Sequence, residues 1–131
     1  MHTVIETPAF LASIRDEHVS EEEKKSIVDF LARNPDAGNI IPGTGGARKV
    51  RIAKQGTGKS GGYRVITFYA AEDIPVFLFD IYSKSNQENL SASDKNELRK
   101  ILTALPSAWR KMVRGMPWRP ASASLAACAL A

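Results

Sequence analysis

The segment "GYRVITFYAAEDIPVFLFDIYS", residues 62–83, decides the fold. β-branched and aromatic residues fill its first half, and its second half is almost continuously apolar. This composition favours strands, and the short polar stretch between the halves favours a hairpin turn. A nearly unbroken apolar run is typical of a strand covered on both faces. The segment therefore predicts two antiparallel strands, the second of them well buried.

The flanking sequence extends this hairpin into a sheet with helices on it. "RKVRIA", residues 48–53, alternates and predicts a further strand, whereas "TVIE", residues 3–6, is a short strand or an extended arm. Pro8 is suited to the first turn of a helix, and Ser20 followed by Glu23 forms a capping box for a second one. The sequence predicts an α+β fold, with a sheet of three to four antiparallel strands, two N-terminal helices and one C-terminal helix.

The C-terminal helix is predicted by "SASDKNELRKILTAL", residues 91–105. Ser91 or Ser93 is its N-cap candidate, apolar residues recur at helical spacing along one face, and Pro106 is expected to end it. That face consists of Leu98, Ile101, Leu102 and Leu105. We expect one domain over residues 1–107, followed by a partly disordered or weakly helical extension over residues 108–131.

The composition limits the functional classes. The 131 residues suit one hydrophobic core, and no stretch of about 18 apolar residues predicts a membrane span. The N-terminal sequence lacks a basic segment followed by an apolar run, so secretion is not expected. Cys128 is the only cysteine, which agrees with a reducing cytoplasm.

Positive charge is concentrated in the middle of the chain. The net charge is +4, but no acidic residue occurs between Asp36 and Glu72. The basic residues of this segment are Arg48, Lys49, Arg51, Lys54, Lys59 and Arg64. Such a concentration of positive charge indicates a polyanionic partner, although a solvated basic face is the simpler alternative. We take Arg48, Lys49, Arg51 and Lys59 as candidate nucleic-acid contacts.

"AKQGTGKS", residues 53–60, fits the loose form of a nucleotide-binding P-loop. A working P-loop leads from a strand into a helix, whose N-terminus binds phosphate. Here the sequence that follows predicts a strand. We therefore interpret the stretch as a basic hairpin loop.

The strand register indicates a candidate site. If residues 72–74 form the loop of the second hairpin, Arg64 lies opposite Tyr82, and Lys84 shares the face of Tyr82. If residue 53 lies opposite residue 63 in the first hairpin, Arg64 also shares its face with Lys54. Lys54, Arg64, Tyr82 and Lys84 would then cluster without a histidine or carboxylate.

A cluster of cations with a tyrosine is suited to a phosphodiester and to the charge that develops on it during cleavage. Nearby cations would lower the pKa of Tyr82 or of a lysine and favour a general base. RNA provides its own nucleophile, the 2′-hydroxyl, so no cofactor or metal is expected. A core tyrosine surrounded by cations that merely bind phosphate remains the alternative.

Residues 43–101 resemble a known family. The run "GTGG-x-RK-x-R", the "GKSGGYR" hairpin and the "IYSK" strand end are similar in order and spacing to the HigB-like branch of the RelE/ParE toxin superfamily. The resemblance implies a RelE-like fold and a toxin of a type II toxin–antitoxin system that cuts mRNA in the ribosomal A site. It assigns catalytic roles to Lys54, Arg64, Tyr82 and Lys84.

The same resemblance implies the partners of the chain. These are a cognate helix-turn-helix antitoxin, the ribosome and mRNA, with the free toxin monomeric and cytoplasmic. Two other functions remain open on the sequence, namely a non-catalytic module that binds RNA or protein, and a gyrase poison of the ParE type.

Overall fold

The chain folds into a sheet with helices on both faces, in a computed structural model that describes residues 1–53, 62–83 and 90–115. The predicted α+β class is confirmed. The elements in chain order are β1 (Val4–Glu6), α1 (Pro8–Asp16), α2 (Glu21–Arg33), β2 (Asn39–Ile40), β3 (Arg48–Ile52), β4 (Tyr63–Phe68), β5 (Val76–Ser83) and α3 (Ala92–Arg114).

The described strands form one five-stranded sheet in the order β1-β5-β4-β3-β2. The three central strands are antiparallel, as the sequence predicts. Two edge strands enlarge the expected sheet. β1 is the "TVIE" segment and pairs with β5 in parallel, which makes the sheet mixed, and the two-residue β2 pairs with β3. β4 is therefore the middle strand.

The β4–β5 hairpin has the predicted pairing but a different turn. Arg64 lies opposite Tyr82, whereas the N–H of Ile74 donates to the carbonyl of Ala71, so the turn is one residue tighter than expected. Further along, Ile66 pairs with Asp80 and Thr67 with Leu78, which leaves Phe79 as an extra residue in β5. This β-bulge compensates for the shorter turn.

The register expected for the β3–β4 hairpin is wrong by one residue. Ile52, not residue 53, lies opposite Tyr63, and Arg51 lies opposite Arg64. Gly62 explains the close pairing at this end, because a Cβ on it would lie only 2.5 Å from the carbonyl oxygen of Ile52. Ile52 therefore lies on the other face of the sheet from Arg64. Residues 54–61, where we placed Lys54 and Lys59, are outside the described residues.

Each face of the sheet has its own core. α1 and α2 cover one face, where Phe10 and Leu31 pack against Val65. α3 covers the other face, where Leu102 and Trp109 pack in one cluster with Ile66, Phe77 and Tyr82. Side chains alternate along β4, so its residues fill both cores and all six are buried.

The helix starts follow the sequence signals. Pro8 stands in the first turn of α1, and the Ser20–Glu23 capping box begins α2. The hydroxyl of Ser91 accepts from the N–H of Asp94 and caps α3, which decides between the two N-cap candidates.

α3 does not end at Pro106, so this expectation is wrong. The helix continues to Arg114, and the division expected at residue 107 falls inside it. A proline inside a helix costs about 3 kcal/mol. Contacts beyond the proline oppose this cost, since Trp109 packs edge-on against Phe77 and Arg110 makes a two-pronged ion pair with Asp73. Residues 116–131 are outside the described residues, and no described helix is long and apolar enough to cross a membrane.

Phe10 and Phe30 provide a matched test of this packing. Phe10 is fully buried between α1 and the sheet, whereas Phe30 on α2 is 43% exposed. Phe10→Ala should lower the free energy of unfolding by roughly 3–5 kcal/mol, because it leaves a cavity. Phe30→Ala should lower it far less. Urea denaturation of both variants is the measurement, and equal losses would contradict the assigned core.

Candidate functional site

Three side chains are aligned across the centre of the sheet. Arg51 on β3 lies opposite Arg64 on β4, which lies opposite Tyr82 on β5. Directly opposed residues on neighbouring strands have their Cβ atoms about 5 Å apart and point to the same face. The predicted Arg64–Tyr82 pair is therefore present, and Arg51 joins it from the other side. We call these three residues the Arg–Arg–Tyr row.

Arg64 is a buried cation. Its side chain is on the face covered by α3, and the residue is only 7% exposed. Within residues 1–53, 62–83 and 90–115, no carboxylate or carbonyl forms an ion pair or hydrogen bond with it. Buried charges in proteins are normally paired, and like charges directly opposite each other destabilise a sheet. Arg51 and Arg64 together thus form a place where an anion would be stabilising.

Tyr82 presents a polar atom to the same place. The residue is 3% exposed, and its hydroxyl has no hydrogen-bond partner in the described part of the chain. A buried hydroxyl without a partner is uncommon in native structures. The phenol of Tyr82 is thus available to a ligand that reaches the row.

The protonation of Tyr82 differs from the sequence expectation. Burial raises the pKa of the phenol, the nearby Asp80 carboxylate raises it further, and Arg64 only partly opposes them. We expected nearby cations to lower this pKa. Arg64 does lower it, but burial and Asp80 outweigh Arg64, so the pKa of Tyr82 lies above its ordinary value. The phenol is protonated at neutral pH and can donate a hydrogen bond to a ligand.

Asp80 stands in the next row of the same face. Lys49, Ile66 and Asp80 are aligned across β3, β4 and β5, two residues along each strand from the Arg–Arg–Tyr row. The hydroxyl of Ser13 donates to Asp80 Oδ1 at 2.6 Å, and the N–H of Ile81 donates to the same oxygen at 2.9 Å. Burial raises the pKa of this carboxyl, and the two hydrogen bonds oppose that shift.

The sequence-predicted residues divide between the faces. Lys49 and Arg51 share the face of Arg64, whereas Arg48 alternates to the opposite face, where its guanidinium donates to the carbonyl of Gly38 at 3.1 Å. Lys54, Lys59 and Lys84 lie outside the described residues, so the roles given to them remain predictions.

Two members of the site were missed. The sequence predicts Arg51 as a nucleic-acid contact and not as the residue opposite Arg64, because the predicted hairpin register is one residue too long. The predicted site also contains no carboxylate, whereas Asp80 lies in the row next to it. Its spacing of two residues from Tyr82 was the available signal, since i and i+2 on a strand share a face.

The described groups favour anion binding. The two guanidiniums supply only donors, the protonated phenol adds one O–H donor, and Arg binds phosphate oxygens in a two-pronged geometry. The described residues include no group of three or more His, Cys, Asp or Glu placed to hold a metal ion.

A family model gives the class of the protein. The model of the RelE toxin of the RelE / RelB toxin–antitoxin system matches residues 4–116, a span that runs from β1 to just past the end of α3. The match covers most of the chain, and the chain belongs to the RelE toxin family. It is accordingly a toxin of a toxin–antitoxin system, with an antitoxin as its partner.

Asp80 makes a pH-dependent contribution to stability. Its pKa is raised in the folded state, so folding binds its proton more tightly, and its ionisation destabilises the fold as pH rises above the ordinary value of 3.8. Asp80→Asn lacks this ionisation. The stability of the variant relative to the wild type should therefore be greater at pH 7 than near pH 3.5, as measured by urea denaturation across that range.

Ser13→Ala is the matched control. The Ser13 hydrogen bond favours the ionised carboxylate, so its removal should raise the pKa of Asp80 further. The loss of stability that accompanies ionisation should then extend to higher pH. A stability difference between wild type and Asp80→Asn that did not change with pH would contradict the burial of an ionisable Asp80.

Proposed function

We propose that the protein is an endoribonuclease that cuts mRNA on the ribosome without a metal ion. The observation that carries this proposal is the Arg–Arg–Tyr row, in which the buried Arg64 forms no ion pair within the described part of the chain. A phosphodiester supplies the missing negative charge. RNA also supplies the 2′-hydroxyl, which makes a nucleophile from the protein unnecessary.

The chemistry assigned to the row is intramolecular transfer of a phosphodiester. The 2′-oxygen attacks the adjacent phosphorus, the bond from phosphorus to the 5′-oxygen breaks, and a 2′,3′-cyclic phosphate forms. Negative charge develops on the non-bridging oxygens, where the Arg64 fork holds it. Arg51, exposed on β3, supplies a second cation at the same phosphate.

Tyr82 is suited to protonating the leaving group. Its phenol is protonated at neutral pH, and burial moves its pKa further from neutrality, so it can deliver a proton to the departing 5′-oxygen. The proton of the 2′-hydroxyl needs a different acceptor. Lys84, with Lys54 as the second choice, is the sequence-based candidate for that base.

Sequence motifs support the finer assignment. The motifs "GTGG-x-RK-x-R", "GKSGGYR" and "IYSK" resemble those of the HigB-like branch of the family. We therefore propose binding in the ribosomal A site, with Lys49 and Lys59 among the RNA contacts. A helix-turn-helix antitoxin, a monomeric free toxin and a cytoplasmic location belong to the same proposal.

Arg64→Lys tests the proposal most directly. The variant keeps the positive charge but loses the two-pronged donor, so the cleavage rate should fall by on the order of 100-fold, roughly 3 kcal/mol, with ribosome affinity largely kept. The measurement is single-turnover cleavage of mRNA on programmed ribosomes. Arg33→Lys, an exposed change at the end of α2, is the control and should cut at the wild-type rate.

The outcome also separates the other functions. If Arg64→Lys cleaved mRNA at the wild-type rate, Arg64 would not belong to the catalytic centre. If mRNA stayed intact on ribosomes exposed to the wild-type toxin, the protein would be a non-catalytic binding module. Inhibition of purified gyrase, with mRNA intact, would indicate the ParE type of activity.

Tyr82→Phe tests the proton donor. The change removes one buried oxygen that has no described hydrogen bond, so folding should be retained while the cleavage rate falls by about 100-fold or more. Tyr69→Phe is the matched control, since the Tyr69 hydroxyl contacts His2 and not the row. Equal cleavage by Tyr82→Phe and wild type would assign the proton to another group, with Lys84 the first candidate.

A further inference from the structure

A groove between α1, β5 and α3 is not used by the proposed chemistry. Its volume is about 330 Å³. Apolar side chains and three carboxylates line it, together with Ala9 and Ser13 on α1. The large apolar residues are Ile66, Phe79, Leu90, Leu98 and Ile101, and the carboxylates are Asp80, Asp94 and Glu97. We call it the acidic groove.

Ile101 shows that the apolar side of the groove is open. The helical spacing of α3 predicts that Ile101 is buried with Leu98 and Leu102, but Ile101 is 47% exposed whereas Leu102 is 2% exposed. α3 thus has an apolar surface beyond the part that packs on the sheet. Exposed apolar surface bordered by polar residues is typical of a protein interaction site.

The charge of the groove is opposite to that of the protein. The chain has a net charge of +4, yet none of the described residues that line this groove is a Lys or Arg. Among the described residues, both hydrogen-bond donors to Asp80 engage Oδ1, and neither engages Oδ2. Three carboxylates around an apolar floor repel a nucleic acid and attract a cationic side chain that has apolar neighbours.

We propose that the acidic groove is a docking site for the antitoxin, and that it takes a segment in which a Lys or Arg stands beside an apolar side chain. Family membership supplies the partner, since a toxin of this family has an antitoxin. The charge and the exposed Ile101 define the chemistry of the segment. The proposal does not depend on the nuclease activity.

The position of the groove gives docking there a consequence for activity. Ile66 and Asp80, which line the groove, are two residues along β4 and β5 from Arg64 and Tyr82, on the same face of the sheet. An antitoxin segment seated in the groove would lie directly beside the Arg–Arg–Tyr row. Docking would therefore hinder access to the row without neutralising its cations.

Two groove variants with matched controls test the site. Glu97→Lys reverses one carboxylate of the groove and Ile101→Ser removes the exposed apolar side chain, each in the full chain. The controls are Glu72→Lys in the β4–β5 turn and Ile40→Ser on the edge strand β2, which make the same changes at exposed positions outside the groove. Circular dichroism and thermal unfolding verify that all four variants fold.

The probe is the purified antitoxin, identified as the protein that neutralises this toxin when the two are co-expressed. Titration calorimetry should show about tenfold weaker binding for each groove variant, as expected for the loss of an interface anchor. The controls should change the affinity less than threefold, which is below about 0.7 kcal/mol. The loss of antitoxin affinity caused by Glu97→Lys should also become smaller as the salt concentration is raised.

Two outcomes would overturn the proposal. One is antitoxin affinity of the groove variants equal to that of their controls. The other is a toxin that self-associates in sedimentation experiments and loses this association in Ile101→Ser, because the groove would then be occupied by a second copy of the chain. Neither result depends on whether the toxin cleaves mRNA.

Discussion

Burial of β4 on both faces is the constraint on which the rest of the structure depends. All six residues of this middle strand are buried, and one of them, Arg64, is charged. Helices on both sides of the sheet are needed to cover such a strand. A cation on such a strand loses little conformational entropy when it meets an anion, because burial already restricts its side chain.

The face covered by α3 combines two opposite electrostatic environments over a short distance. The Arg–Arg–Tyr row is cationic, and the next row contains Asp80, which lines the acidic groove. Asp80 also raises the pKa of Tyr82, so the groove influences the row through its charge. A toxin needs to be active when free and silent when bound. Adjacent sites of opposite sign allow a cationic partner and the proposed phosphate ligand to be recognised by different parts of the same face.

Much of the fold was predictable, because local signals and tertiary structure agree. The hairpin segment, the Ser20 capping box and the Ser91 cap each depend on neighbours in sequence. The failures occur where distant contacts decide. Pro106 stays inside α3 because Trp109 and Arg110 contact the β4–β5 hairpin, and no local rule contains that information. The site followed the same division, since the Arg64–Tyr82 pair was predicted but Arg51 depended on one residue of register.

The β-bulge at Phe79 has a consequence for sequence comparison. It adds one residue to β5 between the turn and Asp80, so turn length and the facing of Tyr82 are set independently. Relatives with a longer turn and no bulge would keep the same facing residues. An alignment without gaps would then shift Phe77 and Leu78 by one residue, whereas an alignment with a gap only at residues 72–74 would shift Asp80 and Tyr82 by one. Homology searches with this chain should therefore allow a compensating gap at residue 79.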